Sequence, residues 1–187
     1  MKSKLTIALL TATTLIAGCK EKKQTQDIIA PRVEIKQPSG PVSMQPYNDT
    51  RNINWLGKTY RVEVSRTAND SLPMVKDETG QTFVDNRISV TVRRADGSVA
   101  ISKTFTKASF DAYIDAHFRQ DGILEGLVFD KADGERLEFA ASVCLPQTDE
   151  YIPLKVTIDN FGNVSIEKDS EMDTSGTGEH DDDNDEV

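Results

Sequence analysis

The stretch ADGERLEFAASVCL, residues 132–145, decides how this chain folds. Its apolar residues occupy every second position: Leu137, Phe139, Ala141, Val143 and Leu145. A period of two is typical of a β-strand that buries one face. Asp133-Gly134 lies near the start of the stretch, before the alternating residues, and Asp-Gly between two alternating segments is a strong signal for a tight hairpin. The sequence therefore predicts an antiparallel hairpin whose apolar side faces a core.

The same alternation recurs through much of the chain. It is strong at residues 60–64, 88–92 and 152–158, and weaker at 99–105, 123–129 and 164–166. Turn residues at Asp96-Gly97 and in residues 159–163 separate further pairs of these segments. Sequential hairpins predict a mainly β fold, in which an antiparallel meander forms a sandwich or a barrel-like sheet.

One segment has helical periodicity instead. Thr106 is a suitable N-cap, Gly122 is a suitable stop, and the apolar residues between them recur at helical spacing. We expect one α-helix there, packed against the sheet. Residues 68–81 lack any periodicity and are predicted to form a long loop.

The N-terminus has the pattern of a lipoprotein signal. Two lysines precede an apolar run, Leu5–Ile16, which is too short to span a bilayer. Ile16-Ala17-Gly18-Cys19 is typical of a lipobox, in which the cysteine thiol takes the lipid. We predict a signal peptide over 1–18 and lipidation at Cys19; the alternative is an ordinary secretory signal with an incidental cysteine. The lipid would hold the protein on a membrane.

Composition divides the remaining chain into three parts. Residues 19–50 contain four of the seven prolines and are predicted to be the lipidated N-terminus and a Pro-rich linker. Residues 51–168 form the β-rich domain. Ten acidic residues against one basic lie between Glu167 and Val187, so 169–187 is predicted to be an acidic disordered tail. The rest is nearly neutral despite the net charge of -9, which argues against a nucleic-acid partner.

Few residues carry obvious chemistry. Cys144 and His117 are the only nucleophile and base pair outside the tail, and packing explains both without catalysis. Trp55 is a candidate ligand contact, with core packing as the alternative reading. The acidic run after His180 lacks the glycine and spacing of a calcium loop. We therefore predict no catalytic residue, no metal site and no cofactor.

Three segments carry a resemblance to a known family: Gly57–Val62, Leu137–Asp149 and Val156–Gly162. Together they resemble an uncharacterised domain-of-unknown-function family of Bacteroidota cell-envelope lipoproteins. The resemblance implies a mostly β domain attached to the outer membrane, on either the periplasmic or the outer surface. It also implies that Ser71, in Asp70-Ser71-Leu72, is an acceptor for O-glycosylation.

These observations favour a non-enzymatic binding or accessory module of the cell envelope. Its expected partners are the membrane, through the lipid, and another envelope protein or a glycan. Two alternatives stay open. One is a hydrolase of envelope glycans, and the other is an enzyme inhibitor that inserts residues 68–81 into its target.

Overall fold

The structure is a computed structural model that describes residues 40–170. The described chain contains ten strands and one short α-helix: β1 (Tyr47–Trp55), β2 (Lys58–Ala68), β3 (Val75–Lys76), β4 (Thr82–Phe83), β5 (Asn86–Arg94), β6 (Val99–Phe105), α1 (Ala116–Asp121), β7 (Ile123–Asp133), β8 (Arg136–Cys144), β9 (Tyr151–Asp159) and β10 (Val164–Lys168). The predicted signal peptide, lipidation at Cys19, and nearly all of the acidic tail lie outside the described residues.

The strands form two antiparallel four-stranded sheets. The first sheet has the order β1-β2-β5-β6, and the second has the order β10-β9-β8-β7. A small hairpin, β3-β4, lies between β2 and β5 in the chain. Each sheet is a meander of sequential neighbours, apart from that inserted hairpin. The predicted mainly β, antiparallel fold is confirmed, and the two sheets pack as a sandwich rather than as one closed barrel.

Three of the hairpin turns lie where the sequence predicts them. Gly97, Gly134 and Gly162 adopt positive φ angles of 84°, 56° and 81°. Glycine is favoured there because it has no Cβ to clash in the left-handed region. Each turn joins two neighbouring strands of one sheet, so local turn chemistry accounts for the pairs β5-β6, β7-β8 and β9-β10.

One core fills the space between the sheets. The alternating residues of β8 are buried, and they pair with buried residues of β9, as in Phe139 opposite Val156. The rings of Phe129 and Phe139 meet edge to face with centroids 5.6 Å apart. Ile88, Val90 and Val92 of the first sheet belong to the same cluster. Burial of these two apolar faces is what holds the sandwich together.

The first strand corrects the sequence prediction. β1 begins at Tyr47, before the predicted domain start at residue 51, and Trp55 is its last residue. β1 lies at the edge of its sheet, and most of its residues are exposed. An edge strand with a largely solvated surface needs few apolar residues, so it lacks the alternation that identified the other strands.

The helix prediction was also too long. The segment between Thr106 and Gly122 forms a 3-10 turn, Lys107–Phe110, and then the six-residue α1. Asp115 interrupts it, because its side chain accepts a hydrogen bond from the amide of Phe118 at 3.0 Å and caps a new helix. The predicted loop at 68–81 likewise contains β3, which pairs with β4.

Candidate functional site

A buried polar cluster joins the two sheets at one end of the sandwich. Asp85 is 3% exposed, and its Oδ1 accepts hydrogen bonds from the amides of Asn86 at 2.7 Å and Leu124 at 2.8 Å. The Asn86 side chain donates in turn to the carbonyl of Leu124 at 2.9 Å. These bonds connect the start of β5 to the start of β7. We call Asp85 and Asn86 the polar clamp.

A half-buried lysine, Lys107, lies close enough to the clamp for its charge to interact with Asp85. Lys107 Nζ donates to the carbonyl oxygen of Gly122 at 2.6 Å. Burial lowers the pKa of Lys107, and it raises the pKa of Asp85, because both charged forms lose contact with water. The positive charge of Lys107 and the two amide donors only partly offset the burial of Asp85. The hydrogen bonds of the clamp to Leu124 and the bond of Lys107 to Gly122 thus connect the chain after α1 to the rest of the domain.

A cleft of about 600 Å³ lies at this same end of the molecule. Three segments far apart in the chain form its walls: the β3-β4 hairpin, α1 and the loop between β8 and β9. We call it the end cleft, and its lining residues are Lys76, Asp77, Glu78, Thr79, His117, Asp121, Leu145, Pro146, Gln147, Thr148 and Glu150.

Internal hydrogen bonds order the hairpin wall of the end cleft. Asp77 Oδ1 accepts from the hydroxyl of Thr79 at 2.8 Å, the amide of Thr79 at 2.9 Å and the amide of Gln81 at 2.9 Å. The Thr79 hydroxyl and these amides hold the pKa of Asp77 below its usual value. The carboxylate is thus occupied in shaping the turn, and this wall of the cleft is preformed.

Internal hydrogen bonds also order the second wall of the end cleft, which is the loop between β8 and β9. Gln147 adopts a φ of 64°, in the left-handed region that a side chain with a Cβ rarely enters. The Leu145 amide donates to the Glu150 carbonyl at 3.0 Å, and the Thr148 hydroxyl donates to the Leu145 carbonyl at 3.0 Å. Strained backbone of this kind persists only where surrounding contacts hold it, and it is frequent at binding sites.

The end cleft has an acidic lining. It contains the carboxylates of Asp77, Glu78, Asp121 and Glu150, against the side chains of Lys76 and His117. Asp121 Oδ2 lies 3.2 Å from His117 Nδ1. Glu78 and Glu150 form no ion pair within residues 40–170. The cleft therefore presents free negative charge to a ligand.

Cys144 and His117 are not assembled as a catalytic pair. His117 lines the end cleft, whereas Cys144 lines a neighbouring pocket of about 270 Å³ that includes Phe83 and Ile123. No hydrogen bond joins the two side chains in the described part of the chain. Burial raises the pKa of the Cys144 thiol to about 12, so at neutral pH it is a protonated, weakly nucleophilic packing residue.

The structure places Trp55 and Ser71 in contrasting surroundings. Trp55 is 3% exposed and packs edge to face on Tyr60, with centroids 5.2 Å apart. Its ring is part of the hydrophobic core and is not available to a ligand at the surface. Ser71 is exposed in a turn, where its hydroxyl lies 2.5 Å from Asn69 Oδ1. Glycosylation of Ser71 stays a prediction.

Sequence reasoning missed both the clamp and the end cleft. Asp85 and Asn86 follow Val84 directly before a strand, where an Asp-Asn pair is typical of an exposed turn. Within residues 40–170 no group of three or more His, Cys, Asp or Glu residues is arranged to hold a metal ion. No helix of that same region is long and apolar enough to cross a membrane.

The fold and the site define a small antiparallel β-sandwich protein with an acidic cleft between loops at one end. The family model described as Domain of unknown function (DUF4738) matches residues 28–166, so the chain belongs to this family. No curated protein matched the chain. The match confirms that the resemblance was to an uncharacterised domain family. It begins at residue 28, ahead of the predicted domain start at 51.

Proposed function

We propose that this protein is a lipid-anchored binding module of a Bacteroidota outer membrane, and that its end cleft holds a basic segment of another envelope protein. The observation that carries the proposal is the preformed cleft, in which the carboxylates of Glu78 and Glu150 form no ion pair within residues 40–170. Binding, and not catalysis, is the proposed role.

The lining of the end cleft suits a short peptide segment. Its volume lies within the range of about 300–1,000 Å³ that ligand sites occupy. Leu145 and Pro146 are buried and give the cleft an apolar floor, and Glu78 and Glu150 stand free beside it. A lysine or arginine side chain would place its stem on that floor and its charge against the carboxylates. Preformed walls reduce the entropy lost on binding.

The chemistry of the site supports binding over hydrolysis. A glycan hydrolase needs one carboxyl that keeps its proton near neutral pH, beside a second that is ionised. In the end cleft, the hydrogen bonds of Asp77 lower its pKa, which is the opposite of what a general acid requires. The protonated thiol of Cys144 lines the other pocket.

A lipid on Cys19 would concentrate the domain near envelope partners. Residues 20–39 separate Cys19 from the first described residue, and fully extended they reach at most about 70 Å. Tethering two partners to one membrane raises their effective concentration, so a modest affinity in the cleft suffices.

The anchor is tested by labelling cells with palmitate. Cys19→Ala is expected to abolish incorporation and to move the protein from the membrane fraction to the soluble fraction, because the thiol is the attachment atom. Cys144→Ala is the matched control, since it removes the only other cysteine and should leave the label unchanged. Equal labelling of the Cys19→Ala protein would contradict the anchored function.

The cleft is tested by photocrosslinking in intact cells. A photoreactive amino acid at His117, whose side chain is exposed in the cleft, is expected to give a discrete adduct with an envelope protein. The same group at Phe161, which is 83% exposed at the opposite end of β9, serves as the control and should give none.

The charge argument is tested on the same adduct. The double replacement Glu78→Gln and Glu150→Gln should reduce the adduct at His117 by roughly tenfold, which corresponds to about 1.4 kcal/mol of lost affinity. Glu135→Gln, at the exposed β7-β8 turn, should leave it unchanged. An adduct that forms equally at Phe161, or that survives the double replacement, would refute cleft binding.

A further inference from the structure

A second, basic pocket lies at the end of the first sheet that is remote from the polar clamp. It has a volume of about 320 Å³ beside the turn between β5 and β6, and Arg61, Arg93 and Arg94 line it together with Asn52 and Gly97. We call it the arginine pocket. Neither the lipid anchor nor the end cleft involves these residues.

The arginine pocket contains more positive charge than its surroundings balance. Arg61 and Arg93 lie directly opposite each other on β2 and β5, and like charges in that position are destabilising. Arg93 pairs with Glu63 at 3.0 Å. Arg61 has no acidic partner within residues 40–170. Arg94 interacts with the nearby carboxylate of Asp96, but its described hydrogen bonds go to Ser98 and to the carbonyl of Val99. A bound anion would offset this repulsion.

We propose that the chain's own acidic tail, residues 171–187, docks in the arginine pocket. The tail contains eight acidic residues and no lysine or arginine, whereas the rest of the mature chain is nearly neutral. Guanidinium groups bind carboxylates through paired hydrogen bonds, so three neighbouring arginines match a run of carboxylates. Attachment to the same chain gives the tail a high effective concentration at the pocket.

The tail leaves the domain at a point from which it can reach the pocket. The Asp169 amide donates to the carbonyl of Pro153 at 3.1 Å, at the clamp end of β9. β2 runs between the two ends of the sandwich, and its eleven residues span roughly 37 Å. Six of the eight carboxylates lie in Glu179–Glu186, and an extended chain from Ser170 places this run roughly 30 to 55 Å away. The most acidic part of the tail therefore spans the required distance.

The test compares the mature chain with a variant that lacks residues 171–187, using NMR of backbone amides and arginine side chains at low salt. Deletion is expected to shift the Arg61 and Arg93 Nε–H signals and the Gly97 amide. Signals around the polar clamp should not move. The shifts should vanish at about 0.5 M NaCl, where screening shortens the reach of charges to a few ångströms. A synthetic 171–187 peptide added to the deletion variant should restore the original spectrum.

Matched arginine variants separate docking from general charge effects. In Arg61→Gln, deletion of the tail should produce less than half of the wild-type shifts. In Arg87→Gln, an exposed arginine at the other end of β5, the shifts should be unchanged. Spectra that are identical with and without the tail would overturn the proposal. Shifts that grow with protein concentration would overturn intramolecular docking and assign the pocket to the tail of a second copy.

Discussion

Phe139→Ala is expected to lower the free energy of unfolding by about 3 to 5 kcal/mol, the range measured for phenylalanine truncations in packed cores. Phe139 is fully buried at the centre of β8 and contacts Phe129 edge to face. Removing its ring leaves a cavity between the two sheets that rigid strands cannot close. Urea unfolding of the protein, followed by fluorescence and circular dichroism, measures the loss.

Phe161→Ala is the matched control for this prediction. It removes the same atoms from a ring that is 83% exposed in the turn between β9 and β10. Its effect should stay within about 0.5 kcal/mol, as for other surface substitutions. Equal losses in the two variants would show that the core does not lie between the sheets. Because a domain of this size has only about 5 to 15 kcal/mol of stability, the Phe139→Ala variant should be close to unfolding at elevated temperature.

Asp85→Ala is expected to cost about 2 to 4 kcal/mol, because it leaves the buried amides of Asn86 and Leu124 without an acceptor. The substitution also removes the cost of burying the Asp85 carboxylate away from water, and this gain offsets part of the loss. Asp130→Ala, at an exposed position of β7, is the control and should be nearly neutral. Chemical denaturation of the three proteins in parallel gives the comparison. A neutral Asp85→Ala variant would mean that the clamp does not join the sheets.

The same carboxyl should produce a defined pH dependence. Burial raises the folded-state pKa of Asp85 above the unfolded value near 3.8, so the folded protein holds this proton more tightly. The tighter binding of this proton stabilises the folded state in acid. The stabilisation is lost as the pH rises through the unfolded pKa near 3.8 and then through the higher folded pKa. The wild type should therefore lose stability relative to Asp85→Asn as the pH rises to neutral. The reverse trend would contradict a buried, desolvated carboxyl.

The clamp also connects stability to the proposed function. Asp85 of the clamp accepts from the amide of Leu124, and Lys107 beside the clamp donates to the carbonyl of Gly122, which follows α1. In turn, α1 contributes His117 and Asp121 to the end cleft. A Cβ on Gly122 would lie 2.5 Å from the Phe118 carbonyl oxygen, so the chain has no free space there. Loss of the clamp is thus expected to displace one wall of the cleft. Asp85→Ala should weaken the adduct at His117 even at temperatures where the protein is still folded.

Most of the fold could be read from local sequence patterns. The strong alternation at 88–92, 136–145 and 152–158 identified β5, β8 and β9, and the Asp-Gly turns identified two hairpins. These signals suffice because the side-chain period of a strand and the positive φ of a turn are properties of a few consecutive residues. β1 escaped detection because an exposed edge strand has no apolar face to produce a period.

The end cleft, the polar clamp and the arginine pocket could not be predicted in this way. The cleft unites residues near 77, 117 and 148, and the arginine pocket unites three strands with a turn. Nothing in the separate segments distinguishes them from ordinary surface. The sequence by itself determined which residues of the strongly alternating strands face the core and which strands the Asp-Gly turns join, because those choices are local. Only the tertiary structure decided which polar groups meet, because burial and proximity arise when the two sheets pack together.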